Sequence, residues 1–254
     1  MARSERSFRT PAIILKRRDF GEADRLLTLL TPTRGKIDVL AKGVRKLTSA
    51  KMGHVELFTR SEMLINTGRE LGLVVQAECT HPYIPLREDL TRGAYAAYAA
   101  ELLDKFTENT EEESNKLFFL LDQTLVRLSE HADVRLVIRY YELHLLDFVG
   151  FRPDLNYCAI SGQDIKPEDQ YFSPEAGGVV SPSFVHQASG VFPLSLATLK
   201  VLRHLQRSAF EDVQALNISP ALHDDVERIL MHNITYILER RLQSVDFIRH
   251  LRQS

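Results

Sequence analysis

Residues 25–42 read RLLTLLTPTRGKIDVLAK and contain the pattern that decides the fold. The first run, Arg25 to Thr31, is apolar and closes at Pro32 and at Arg34-Gly35. The second run, Lys36 to Lys42, follows that turn directly and alternates between polar and apolar residues, which is typical of a half-buried strand. Two such runs joined by a short glycine-containing turn predict a β-hairpin.

Three further short runs flank the predicted hairpin. They are Ala12 to Lys16, Glu56 to Ile65 and Leu73 to Cys79. Five short strands joined by turns, with no helix between them, predict a small closed barrel.

Beyond the predicted barrel the apolar spacing becomes helical. Three amphipathic helices are predicted within residues 83–150, and further helices within 194–254, where Ser195 and Ser219-Pro220 are good N-terminal caps. Residues 151–193 between them are rich in proline and glycine but hold six aromatic residues, which predicts a folded insertion. The expected fold class is α+β and multidomain: an N-terminal β-barrel over residues 1–82, then an all-α domain that the insertion interrupts.

Charge is distributed unevenly along the chain. The 254 residues carry a formal charge of −2, but residues 1–60 hold 14 Lys and Arg against 6 Asp and Glu. That region therefore carries +8 and the remainder −10. Such a split indicates a basic binding module at one end of the chain.

Several classes of protein are disfavoured by what the sequence lacks. Two cysteines cannot form a disulfide framework. The sequence contains no apolar stretch of about 18 residues, so it predicts no membrane helix. The N-terminus lacks the apolar run of a signal peptide, so we expect a protein of the reducing cytoplasm with no membrane partner. Nucleophile-elbow, phosphate-loop and dinucleotide-binding motifs are absent, and none of the nine histidines forms an HExxH motif, so we expect no enzyme.

Basic residues recur at strand ends and in the loop from Ala41 to Gly53, which has no acidic residue. The candidate DNA contacts are Lys16, Arg17, Arg18, Arg25, Arg34, Lys36, Lys42, Arg45, Lys46 and Lys51. Repeated cations along a groove suit a phosphate backbone. There are two alternatives: an ordinary solvated basic surface, or an adaptor that binds acidic protein tails. A nuclease would need a cluster of carboxylates for a metal ion, and the few acidic residues of this region do not suggest one.

Several segments together resemble the RecO family of bacterial recombination mediators. They are RRDFGEADRL at 17–26, LTP at 30–32, AKGVRK at 41–46, GFRP at 150–153 and FSPEAGG at 172–178. The resemblance implies an oligonucleotide-binding (OB) fold for residues 1–82, with DNA contacts on its basic face, and a zinc-finger-like insertion.

The same resemblance implies a function at the bacterial nucleoid in the RecFOR pathway of DNA repair. A RecO protein binds single- and double-stranded DNA and anneals complementary strands. With RecR it displaces single-strand-binding protein, whose C-terminal tail is a further expected partner, and so indirectly helps to load RecA.

The insertion departs from the pattern of many RecO proteins, which carry two CxxC pairs there. The corresponding positions here are Cys158, Ser161, Ser181 and Phe184. Serine is a poor zinc ligand and phenylalanine is none, so we expect no metal and no cofactor. Apolar burial should hold the insertion instead, and the candidates are Tyr157, Phe172, Val179, Val180 and Phe184.

Overall fold

The structure is a computed structural model that describes residues 6–68, 71–107, 113–239, 242, 244–245, 247–248 and 251. Contacts divide the chain into two compact units, Met1–Glu130 and His131–Ser254. The finer division after residues 82, 150 and 193 stays a prediction. No helix among these described residues is long and apolar enough to cross a membrane.

Five strands of the first unit form a closed barrel in the order β1-β2-β3-β5-β4. The strands are β1 (Ser7–Phe20), β2 (Asp24–Thr31), β3 (Gly35–Ala41), β4 (Arg60–Asn66) and β5 (Gly72–His81). The predicted hairpin is confirmed, because β2 and β3 are antiparallel neighbours. The barrel closes through antiparallel pairing of β4 with β1 and a short parallel pairing of β3 with β5.

Every strand contributes side chains to the barrel interior. Its buried core includes Ile14, Leu29, Val39, Met63 and Val74, each at most 1% exposed. The alternation of the sequence is the cause, because successive residues of a strand point to opposite faces of the sheet.

The fourth strand begins later than the sequence predicts. The expected run starts at Glu56, but β4 starts at Arg60. Phe58 adopts a φ of 60°, and its N–H donates to the carbonyl of Ile14 at 3.0 Å. This left-handed turn interrupts the extended backbone, so Glu56 to Thr59 form a connection rather than a strand.

Three helices complete the first unit: α1 (Pro85–Glu88), α2 (Leu90–Phe106) and α3 (Ser114–Glu130). Helices α2 and α3 pack against the outer face of β1, β2 and β3. This explains why Ile13 and Leu30, which form an outward-facing pair, are no more than 1% exposed. The Asp89 side chain caps α2 by accepting from the N–H of Arg92 at 3.0 Å.

The second unit combines helices with a small sheet. Its helices are α4 (Val134–Phe148), α5 (Leu196–Arg207), α6 (Phe210–Val213) and α7 (Pro220–Leu238). The predicted caps are confirmed, because Ser195 and Ser219 accept from the N–H groups of Thr198 and Leu222.

The insertion contains a three-stranded sheet in the order β7-β6-β8, formed by β6 (Gln170–Ser173), β7 (Gly178–Val180) and β8 (Phe192–Leu194). Phe172, Val179 and Val180 are buried, as expected. Two candidates were wrong, because Tyr157 is 51% exposed and Phe184 is only partly buried. The backbone of Tyr157 bridges to Asp164 and is held by the Asp154 carboxylate, so backbone contacts rather than burial of the ring fix this position.

Candidate nucleic-acid interface

Two loops meet at one end of the barrel. The tip of the β1–β2 hairpin lies against the loop that follows β3, because the Asp24 carboxylate accepts from the N–H of Gly43 at 2.7 Å. The N–H of Arg45 donates to the carbonyl of Ala23 at 2.9 Å. Gly21 and Gly43 adopt φ values of 59° and 65°, which are left-handed conformations that favour glycine. We call the segments 17–25 and 42–46 the barrel rim.

A network of arginines and carboxylates ties the barrel rim together. Arg17 and Arg25 both pair with Glu56, while Arg25 and Arg45 reach Asp19 at 3.3 and 3.4 Å. Arg17 is paired with Leu27 in the strand register, and Arg25 is paired with Asp19. Both arginines therefore lie on the inward-facing side of the sheet, at the end of the barrel next to its core. The two pairs with the exposed Asp19 carboxylate contribute only about 0.2–1 kcal/mol each, so they orient the rim more than they stabilise the fold.

Three cations at the barrel rim have no ion pair or hydrogen bond within the described part of the chain. Arg18, Lys42 and Lys46 are exposed, and no carboxylate there compensates their charge. Arg18 lies on the outer face of the barrel, opposite Leu26 of β2. Lys42 directly follows β3, and Lys46 lies one residue beyond Arg45. These three side chains are available to an external anion.

Lys16 and Lys36 occupy a different environment, because both bind the Asp104 carboxylate of α2. Lys36 donates to an Asp104 carboxylate oxygen and to its carbonyl, each at 2.9 Å, and Lys16 donates to the other carboxylate oxygen. Burial raises the pKa of Asp104, but the two lysine hydrogen bonds outweigh it and hold that pKa below its ordinary value. These lysines therefore fasten the barrel to α2, and their charge is partly compensated.

Arg34 and Lys51 are also engaged inside the first unit. The Arg34 guanidinium lies 3.9 Å from the centroid of the Phe8 ring, and the Lys51 ammonium donates to the carbonyl of Val74 at 3.1 Å. The structure thus gathers six of the ten predicted cations at the barrel rim and places four elsewhere. The six are Arg17, Arg18, Arg25, Lys42, Arg45 and Lys46.

Phe20 is a rim residue that the sequence-based list missed. It is the last residue of β1, precedes Gly21, and is 50% exposed. The available signal was an aromatic residue at a strand end next to glycine, inside a run of basic residues.

The acidic residues of the barrel do not form a metal site. Asp19 pairs with arginines, Asp24 holds the loop after β3, and Asp38 accepts from the Thr28 hydroxyl at 2.6 Å. No group of three or more metal-binding His, Cys, Asp or Glu side chains occurs among the residues described.

The insertion does not fit a zinc ion either. Cys158 is 1% exposed, and its Sγ accepts from the N–H of Ser181 at 3.4 Å. Burial raises the pKa of Cys158, but hydrogen bonds from Ser161, Ser181 and Ile160 lower it to about 6. One thiol with serines and a phenylalanine is not a donor set for zinc, so its absence stays a prediction from ligand chemistry.

A closed five-stranded barrel with a cationic rim, followed by a mostly helical unit, defines a class: barrel proteins of the oligonucleotide-binding type. Family comparison gives the particular group. A model described as "Recombination protein O N terminal" matches residues 4–83, and one described as "Recombination protein O C terminal" matches residues 87–246. The chain belongs to the RecO family, and a role in DNA repair and recombination follows from that membership.

Curated relatives support this over nearly the whole length. A DNA repair protein RecO of Roseiflexus sp. (strain RS-1) is 42% identical over 249 residues, which cover 98% of this chain and 87% of the relative. Proteins of the same name from Dehalococcoides mccartyi (strain ATCC BAA-2100 / JCM 16839 / KCTC 5957 / BAV1) and Desulforamulus reducens are 35% and 33% identical. Each of these two alignments covers at least 96% of both chains.

Proposed function

We propose that this chain is a non-enzymatic recombination mediator that binds DNA at the barrel rim. One observation carries the proposal: Arg18, Lys42 and Lys46 are exposed and have no partner among the described residues, next to a network that orients Arg45. A phosphate backbone gains most from cations that no internal carboxylate already neutralises, because each contact releases condensed counterions.

The proposed mechanism is electrostatic. Two complementary strands repel each other through their phosphates, and cations held along a rim reduce that repulsion while the strands pair. The rim binds single- and double-stranded DNA, because both present a phosphate backbone. Phosphate contacts carry no sequence information, so binding does not depend on the base sequence. The partners proposed from family membership are RecR, the C-terminal tail of single-strand-binding protein and, indirectly, RecA.

A strand-annealing assay tests the proposal. Two complementary oligonucleotides are coated with single-strand-binding protein, and their pairing is followed by energy transfer between end labels, with and without the chain. We expect the chain to accelerate pairing and the variant Lys42→Ala/Arg45→Ala/Lys46→Ala to lose most of that acceleration.

The variant Lys166→Ala/Lys200→Ala/Arg207→Ala is the matched control, because it removes three exposed charges from the second unit. If the triple rim variant anneals coated strands as well as the unchanged chain, the assignment of the rim is wrong. If the chain binds an acidic tail peptide through the rim but no naked DNA, it is an adaptor and the mediator proposal fails.

A further inference from the structure

The exposed ring of Phe20 differs from the other aromatic side chains of the barrel. Phe8 lies under the Arg34 guanidinium, and Phe58 is partly buried in the turn before β4. Phe20 is 50% exposed, and no ring or guanidinium covers it among the residues that the structure describes. Burial in the core therefore does not account for a large aromatic side chain at this position.

The surroundings of Phe20 are cationic and ordered. Arg18 lies two residues earlier on the same strand, so both side chains project from the outer face of the barrel. The Arg45 guanidinium donates to the carbonyl of Gly21, the next residue, at 3.3 Å and also pairs with Asp19. The ring is thus presented at a hairpin tip that hydrogen bonds and ion pairs hold on both sides.

We propose that Phe20 stacks on a base of single-stranded DNA and gives the barrel rim a preference for unpaired strands. This inference rests on the proposed DNA-binding function. The cations hold the phosphates of any strand, but only an unpaired base can turn its face onto an aromatic ring, because the bases of a duplex are already stacked on each other. Stacking tolerates every base, so the preference is for strandedness rather than for sequence.

Three fluorescent probes of equal length separate the contributions: an oligothymidylate, an oligonucleotide without bases, and a duplex. The variants are Phe20→Ala, Phe20→Leu, which keeps apolar volume without an aromatic face, and Phe20→Tyr, which keeps the ring. Phe119→Ala is the matched control, because Phe119 of α3 is 51% exposed in the same unit. Circular dichroism is used to verify that each variant is folded.

We expect Phe20→Ala and Phe20→Leu to weaken binding of the oligothymidylate by about five- to tenfold, the lower part of the range for one stacked base. Phe20→Tyr should bind like the unchanged chain, and binding of the base-free strand and the duplex should not change. An equal loss on the base-free strand, or no loss on the oligothymidylate, overturns the stacking role while leaving the proposed function intact. If the unchanged chain binds none of the three probes, both proposals fail.

Discussion

Replacing Lys42 and Lys46 together by alanine tests whether internal pairing decides which cations bind DNA. Both side chains are exposed and have no partner within the described part of the chain. If the barrel rim uses Arg18, Lys42, Arg45 and Lys46 against phosphates, the logarithm of affinity for single strands should fall against the logarithm of salt with a slope of about −2.8. Raising salt from about 50 to about 200 mM then weakens binding by about 50-fold.

The double variant retains two of these contacts. Its slope should be about −1.4, so the same increase in salt should weaken its binding by only about sevenfold. Fluorescence anisotropy of a labelled single strand over a salt series measures both slopes.

Two controls make the comparison specific. Lys166→Ala/Lys200→Ala removes the same charge from the second unit and should leave the slope unchanged. Lys16→Ala removes a cation that is already bound to Asp104, so it should change the slope less than Lys42→Ala does. The reasoning is refuted if the rim variant keeps the slope of the unchanged chain, or if Lys16→Ala and Lys42→Ala reduce it equally.

Three further predictions concern stability and metal content. Asp104→Asn should lower the free energy of unfolding in urea by about 1–3 kcal/mol, because it removes the charged acceptor of two lysines. Since the folded-state pKa of Asp104 is lowered, the difference should be present above about pH 4 and disappear as pH falls through that pKa. Gly178→Ala should lower the free energy of unfolding by about 1–3 kcal/mol, because its Cβ would lie 2.4 Å from the carbonyl oxygen of Asp154. Gly53→Ala is the control and should be nearly neutral in the same measurement, because a Cβ at Gly53 meets nothing within 4 Å. Elemental analysis should find less than stoichiometric zinc, and one zinc per chain would contradict the argument from Cys158.

Local pattern was sufficient to predict the secondary structure of most of the chain. The alternation from Lys36 to Lys42 and the turn at Gly35 indicated a hairpin, and Ser195 and Ser219 marked the starts of α5 and α7. These features depend on neighbours in the chain, so they can be read from it. The start of β4 could not, because the turn at Phe58 is stabilised by Ile14, which is distant in sequence.

Composition indicated the basic module, but it could not separate the cations within it. Lys16 and Lys42 carry the same charge and are both exposed, yet Lys16 meets a carboxylate 88 residues away and Lys42 meets none among the described residues. No periodicity or spacing in the sequence indicates that Asp104 would pair with Lys16 and not with Lys42. The sequence likewise could not distinguish Phe20 from Phe8 and Phe58, so three aromatic residues in the first 60 indicated backbone contact rather than stacking; exposure depends on what packs over a side chain.

The sequence by itself thus determined that residues 1–60 are basic, that a barrel precedes helices, and that only one cysteine stands at the four CxxC positions of the insertion, because charge, alternation and residue type belong to the residues themselves. The tertiary structure alone decided which charges are compensated, which aromatic side chain of the barrel rim stays exposed and which loops meet there. Those properties are contacts between distant segments, and the folding of the barrel and of α2 onto it brings the segments together.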